Sequence, residues 1–185
     1  MIQITKIGEE PVEQVPYLAA GASGKGVVPS RLPIYFGEMA NIPDAYDAII
    51  ITSDLQGVIE SRHGQQVLLG EELPEMVSLL LQIEKPSFPQ ERVLVLLCGD
   101  LYADPWKRGS SGDPSPVWQA FQREFGQPSL NLQGLPEIRE CLQQYPPVLV
   151  CCGHVHWERS WIELAQGTQV LNTDGKLFVF TRKSG

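Results

Sequence analysis

Three short stretches carry the residues able to do chemistry. Gly153-His154-Val155-His156 places two of the chain's three histidines two positions apart. Ser53-Asp54-Leu55-Gln56-Gly57 places an aspartate three positions before a glycine, and Gly99-Asp100 places one directly after a glycine. Neutral imidazole is the commonest side-chain ligand for transition metals, and carboxylates complete such sites. Two aspartates and two histidines gathered at one point would suit Mn, Fe or Zn. Each stretch alone also has a plainer reading. HxH can be a polar pair in a surface turn, and Asp54 can cap the element that follows it.

What favours a site is the element before each stretch. Pro146 and Pro147 bound an unbroken apolar run, Val148 to Cys152, expected to be a strand covered on both faces. Ala45 to Ser53 and Arg92 to Cys98 are two further β-rich apolar runs that end at Asp54 and at Gly99-Asp100. In a parallel sheet, with helices as connections, all three tips fall on one edge. Strand C-termini are where α/β proteins place their sites. The connecting helices are expected over 71–84, with Leu73, Met76, Val77, Leu80, Leu81 and Ile83 on or near one face, over Pro116–Phe125, and over Leu135–Tyr145.

The rest of the chain reads as follows. Ile2, Ile4 and Ile7 suggest a short edge strand. Residues 8–46 are rich in Gly and Pro and read as an extended arm packed on the domain. Within it, Gly21 to Gly26 is not a phosphate loop, since Ala19 replaces the first glycine and Gly26 follows Lys25. Residues 57–70 form a loop or ragged hairpin carrying Arg62 and His63. Residues 105–116 and 126–134 are loops, the first with Trp106, Lys107 and Arg108. After Trp157, pieces at 160–164, 168–171 and 176–182 suggest an antiparallel meander, with Asp174-Gly175 as a hairpin turn.

The chain has 185 residues, 43% of them hydrophobic and 19% charged, which suits one globular domain. The net charge of -8 argues against a nucleic-acid binder that relies on a basic face. No signal peptide and no membrane-spanning apolar stretch is legible, so the expectation is a soluble, cytoplasmic protein without membrane association. Cys98, Cys141, Cys151 and Cys152 form no CxxC pair and read as reduced core residues. The oligomeric state is not encoded in any recognisable pattern.

Asp54-Leu55-Gln56-Gly57, Gly99-Asp100 and Gly153-His154-Val155-His156 together resemble the calcineurin-like metallophosphoesterase superfamily, over roughly residues 45–182. The resemblance implies an α/β fold of four layers, two mixed sheets flanked by helices, in a compact single domain over 1–185. Residues 1–44 would be the arm and 45–182 the core. It implies one or two divalent ions (Mn, Fe or Zn) held by Asp54, Gln56, Asp100, His154 and His156. Asp100 would bridge, Asp54 and His156 would belong to one metal, and His154 to the other. A metal-bound hydroxide would then attack a small phosphate-ester substrate. Asp100, His154 and His63, nine residues past Asp54, are the candidate catalytic residues. The chain departs from the family at Gln56, where the family has histidine, and at Ala103, and it contains no Gly-Asn-His. The alternative is therefore a catalytically degenerate member serving as a metal-binding or interaction module. A small-ligand binder of α/β type needs no family.

Overall fold

A computed structural model describes residues 2–21, 26–60, 64–88, 90–99, 101, 113–126, 131–132, 147–154, 157–165 and 167–183. The main sheet starts with β1 (Gln3–Ile7), β2 (Glu13–Ala20) and β3 (Val27–Ala40). It continues with β4 (Ala48–Ser53), β5 (Val58–Glu60), β6 (Gln66–Leu68), β7 (Val93–Cys98), β8 (Asn131–Leu132) and β12 (Leu177–Arg182). Its strand order is β6-β5-β2-β3-β12-β4-β7-β8, and β1 pairs with β3. A second sheet has the order β10-β11-β9, from β10 (Trp161–Glu163), β11 (Gln169–Asn172) and β9 (Leu149–Cys152). Two described helices, α1 (Leu69–Glu84) and α2 (Ser115–Phe125), complete the domain.

The two faces of the main sheet explain this layering. β4 is buried at every residue, so its side chains alternate between two apolar layers. Ala48 and Ile50 join Val93, Val95, Leu97, Leu177 and Val179 against the helices, where Leu73, Val77, Leu81, Val117 and Phe121 are fully buried. Ile49 and Ile51 point the other way, with Met39, Phe178 and Phe180, toward Leu171, Leu149, Cys151 and Trp161 of the second sheet. A buried glutamine fastens this second interface. Gln169 in β11 accepts from the Ile4 N–H at 2.6 Å and donates to the Ile4 carbonyl at 2.9 Å, replacing pairing that the short β1 lacks there.

Helix α1 follows the expected periodicity, with Leu73, Val77 and Leu81 inward, and Glu71 and Glu72 complement its N-terminal dipole. No side chain caps it. The Leu69 N–H instead finds the Gly57 carbonyl at 2.9 Å, which joins the helix start to the loop after β4. Ile83, expected on or near the apolar face, is 74% exposed, because it lies on the opposite side of the helix from Leu81, which stays buried in the same turn. No described helix is long and apolar enough to cross a membrane.

Five strands differ from the sequence reading. β1 is the short strand expected from Ile2, Ile4 and Ile7, but the segment 8–46, read as an arm, forms two strands, β2 and β3, built into the main sheet. Its prolines are compatible with pairing because Pro16 faces Arg31, Pro29 faces Leu18 and Pro33 faces Gln14. These positions share one parity of the antiparallel register, so their missing N–H groups fall where none is needed by the β2–β3 ladder. β12 is not the last strand of a meander. It inserts between β3, to which it is parallel, and β4, to which it is antiparallel. Asp174-Gly175 is thus a crossover between sheets rather than a hairpin turn. β9 is parallel to β11 in the second sheet and is half-buried along its length, not covered on both faces. β8 lies in a stretch read as loop, parallel to β7.

Candidate functional site

The C-terminal tips of β4, β7 and β9 meet, although they come from two sheets. β4 and β7 are parallel neighbours, with Ser53 opposite Cys98, so both end at the same level. β9 arrives from the second sheet. The chain then turns sharply at each tip: Asp54 has φ 53°, Gly99 φ 69° and His154 φ 70°. Only three described non-glycine residues have positive φ, and two of them are Asp54 and His154. Left-handed backbone costs an L-residue about 1 kcal/mol or more, and such strain collects where a surrounding structure has a use for it.

The Asp54 carboxylate occupies the junction. Its Oδ2 accepts from the Ser53 hydroxyl at 2.6 Å and from the His154 N–H at 3.0 Å. Two glycines make room for it. A Cβ on Gly99 would lie 3.0 Å from Oδ1, and a Cβ on Gly153 would lie 2.0 Å from Oδ2. Gly153 therefore serves close approach as much as the turn that its sequence position suggested. Leu55 goes the other way, into the core beneath α1.

A fourth tip supports the other three. Beyond β11, Thr173 donates its N–H to the Cys152 carbonyl at 2.7 Å, and its hydroxyl reaches Ser53 Oγ at 2.9 Å. Ser53 also bridges to Asp174 in parallel fashion. Thr52 donates its hydroxyl to the Lys176 carbonyl at 2.8 Å. The loop between β11 and β12 thus spans both sheets at the level of Asp54.

Three thiols lie under the tips, all free. The Cys151 side chain shares a hydrogen bond with Cys98, which lowers the Cys98 pKa against the effect of burial and of the Asp54 charge. The same bond, together with burial, holds the Cys151 thiol well above the ordinary range. Burial raises Cys152, which faces the opposite way and donates to the Leu171 carbonyl. Lys176 is shifted down by burial, partly offset by Asp174.

Of the candidate site residues, the structure brings Asp54 and the backbone of His154 into contact. The His154 side chain is exposed. Gln56 is half-buried two positions past Asp54, in the turn after β4. Asp100, His156 and His63 lie outside the described residues, as do Cys141, Trp106, Lys107, Arg108 and the helix expected over 135–145. Gly99 and Leu101 flank Asp100, and His154 and Trp157 are the nearest described residues to His156 in the chain. Among the described residues no group of three or more His, Cys, Asp or Glu side chains is gathered for a metal ion. Ser53 and Thr173 were not singled out from sequence. Ser53 could have been, since a hydroxyl directly before a strand-tip aspartate can bond to it.

A cleft of about 790 Å³ lies elsewhere, over the β2–β3 and β5–β6 hairpins. Tyr17, Leu18, Val58 and Ile59 line it, together with Arg31 and Glu60. None of Asp54, Gly99, Gly153 or His154 lines it. Comparisons with family models, with curated proteins and with solved structures find no match to this chain.

Proposed function

We propose that the protein is a divalent-metal-dependent phosphoesterase acting on small phosphate esters at the junction of the β4, β7 and β9 tips. The observation that carries this reading is the meeting of Asp54 with Gly99 and with Gly153-His154, at strained backbone. In kind, the residues named below suit a small divalent ion. A carboxylate is held in a cradle that any Cβ at 99 or 153 would fill, and an aspartate and a second histidine follow directly in the chain. Asp54, Asp100, His154 and His156 would hold the ion, with Gln56 as a neutral oxygen ligand. When bound, the ion supplies Lewis acidity toward water and the phosphoryl oxygens. The chain's own contribution is to fix Asp54 through Ser53 and the His154 N–H, and to present His154 at an exposed edge where an ester can approach. The four-layer, metallophosphoesterase-like arrangement belongs to the same proposal.

The test is Mn²⁺-dependent hydrolysis of p-nitrophenyl phosphate and its diester by the parent chain and by Asp100→Asn. Hydrolysis lost in the variant supports the reading, and equal rates contradict it.

The cleft over the hairpins favours a second reading, in which the domain is a non-catalytic binding module. Among the described residues, an apolar lining with one cation, Arg31, and one anion, Glu60, suits an amphipathic ligand better than a phosphate ester. Under this reading Asp54→Asn leaves ligand binding intact, whereas Arg31→Ala weakens it.

A further inference from the structure

Resting on the phosphoesterase reading, we infer that Ser53 and Thr173 are positioning residues that make Asp54 a one-oxygen ligand through Oδ1. The two hydroxyls, from two different sheets, form a directed chain. A carboxylate only accepts, so the 2.6 Å contact places the Ser53 proton on Asp54 Oδ2. Ser53 Oγ is then an acceptor, and Thr173 must donate to it across 2.9 Å. The Thr173 hydroxyl also lies 3.1 Å from the Cys152 carbonyl, a longer contact than the 2.9 Å to Ser53 Oγ, and Ser53, its own proton on Asp54, has none to give back to Thr173. Ser53 and Thr173 are fully buried, so water does not compete for either bond.

The chain settles which carboxylate oxygen meets a cation. Oδ2 takes the Ser53 hydroxyl and the His154 N–H, whereas among the described residues neither donor falls on Oδ1. Both donors bring positive hydrogens to the Oδ2 side, which repels a cation there. Two-oxygen coordination, common for larger ions, would break one or both bonds. Partners of this kind behind a metal ligand typically change metal affinity by about 10–100-fold when removed.

The experiment measures the Mn²⁺ Kd by titration calorimetry, with Tm in excess chelator, for the parent, Thr173→Val, Thr173→Ser and Ser53→Ala. Expected are a Kd at least about tenfold weaker in Thr173→Val and Ser53→Ala, and a near-parental Kd in Thr173→Ser, which keeps the hydroxyl. The chelator Tm should fall by only a few degrees, about 2–4 °C for one lost hydrogen bond in a chain of this size. Parental affinity in Ser53→Ala or Thr173→Val overturns the inference alone. So does equal weakening in Thr173→Ser and Thr173→Val, since the hydroxyl would then not be the cause. If Thr173→Val does not fold, Ser53→Ala decides. No Mn²⁺ binding by the parent chain overturns the phosphoesterase reading and the inference with it.

Discussion

Gly153→Ala is the most informative single substitution. Gly153 does not have positive φ, so its backbone accepts an L-residue without strain. What it cannot accept is the methyl group, which would lie 2.0 Å from Asp54 Oδ2 and 2.6 Å from Ser53 Oγ. Carbon and oxygen in ordinary contact stay more than about 3 Å apart, so the carboxylate has to leave. Leaving breaks the bonds from Ser53 and the His154 N–H, each charge-assisted and worth about 1.5–3 kcal/mol, partly recovered from water at this half-exposed position. Overpacking adds about 1–3 kcal/mol. The expected loss is about 2–5 kcal/mol, or a fall in Tm of roughly 5–15 °C. A double-mutant cycle with Asp54→Gly isolates the cause. Asp54→Gly removes the obstructing carboxylate and suits φ 53°, so Gly153→Ala should cost at least about 1.5 kcal/mol less in that background. Denaturant unfolding of the four proteins reads this directly. Additivity within about 0.5 kcal/mol would mean that Gly153 does not pack on Asp54, and the described junction would be wrong.

Other outcomes follow from the same structure. His154→Gly relieves a left-handed backbone at an exposed side chain and should stabilise the fold by about 1 kcal/mol, seen as a Tm gain of about 2–4 °C; a loss would refute strain at this tip. Gln169→Leu strands the N–H and carbonyl of Ile4 in a buried interface and should cost about 2–5 kcal/mol by urea unfolding, whereas a neutral result would mean that water reaches them. Phe121→Ala, at a fully buried position against α1, should cost about 3–5 kcal/mol by the same measurement. Burial lowers the Lys176 pKa below its usual 10.5, so the charged form is penalised at neutral pH and the penalty fades as pH rises toward that value. The gain in denaturant midpoint from Lys176→Met should therefore be larger at pH 7 than at pH 10, and an equal gain at both would refute a partly desolvated cation there.

How much of this was legible in sequence depended on what each residue had to satisfy. β4 and β7 could be read because β4 is buried on two faces and β7 is buried on one and half-buried on the other, which demands an uninterrupted apolar run. Their tips, and the glycine-bearing turns at Asp54, Gly99 and Gly153, followed from that. β9 gave the same pattern from another cause. It is half-buried in a second sheet, and an apolar run does not say which sheet a strand joins. β2 and β3 were obscured by prolines, whose tolerance depends on register, a long-range property. Asp174-Gly175 carries a local hairpin signal, but the pairing of β12 with β3 and β4 overrode it. The Ser53–Thr173 contact joins residues 120 positions apart, and no local pattern encodes it.

The central claim, that the converging tips bind a divalent cation, is tested most directly by elemental analysis of protein loaded with Mn²⁺ and desalted. The account predicts one or two ions per chain in the parent and their loss in Asp54→Asn and in His154→Ala, with both variants folded by circular dichroism. A parent chain that retains no Mn²⁺, and shows no Mn²⁺-dependent hydrolysis with the ion kept present, would contradict it.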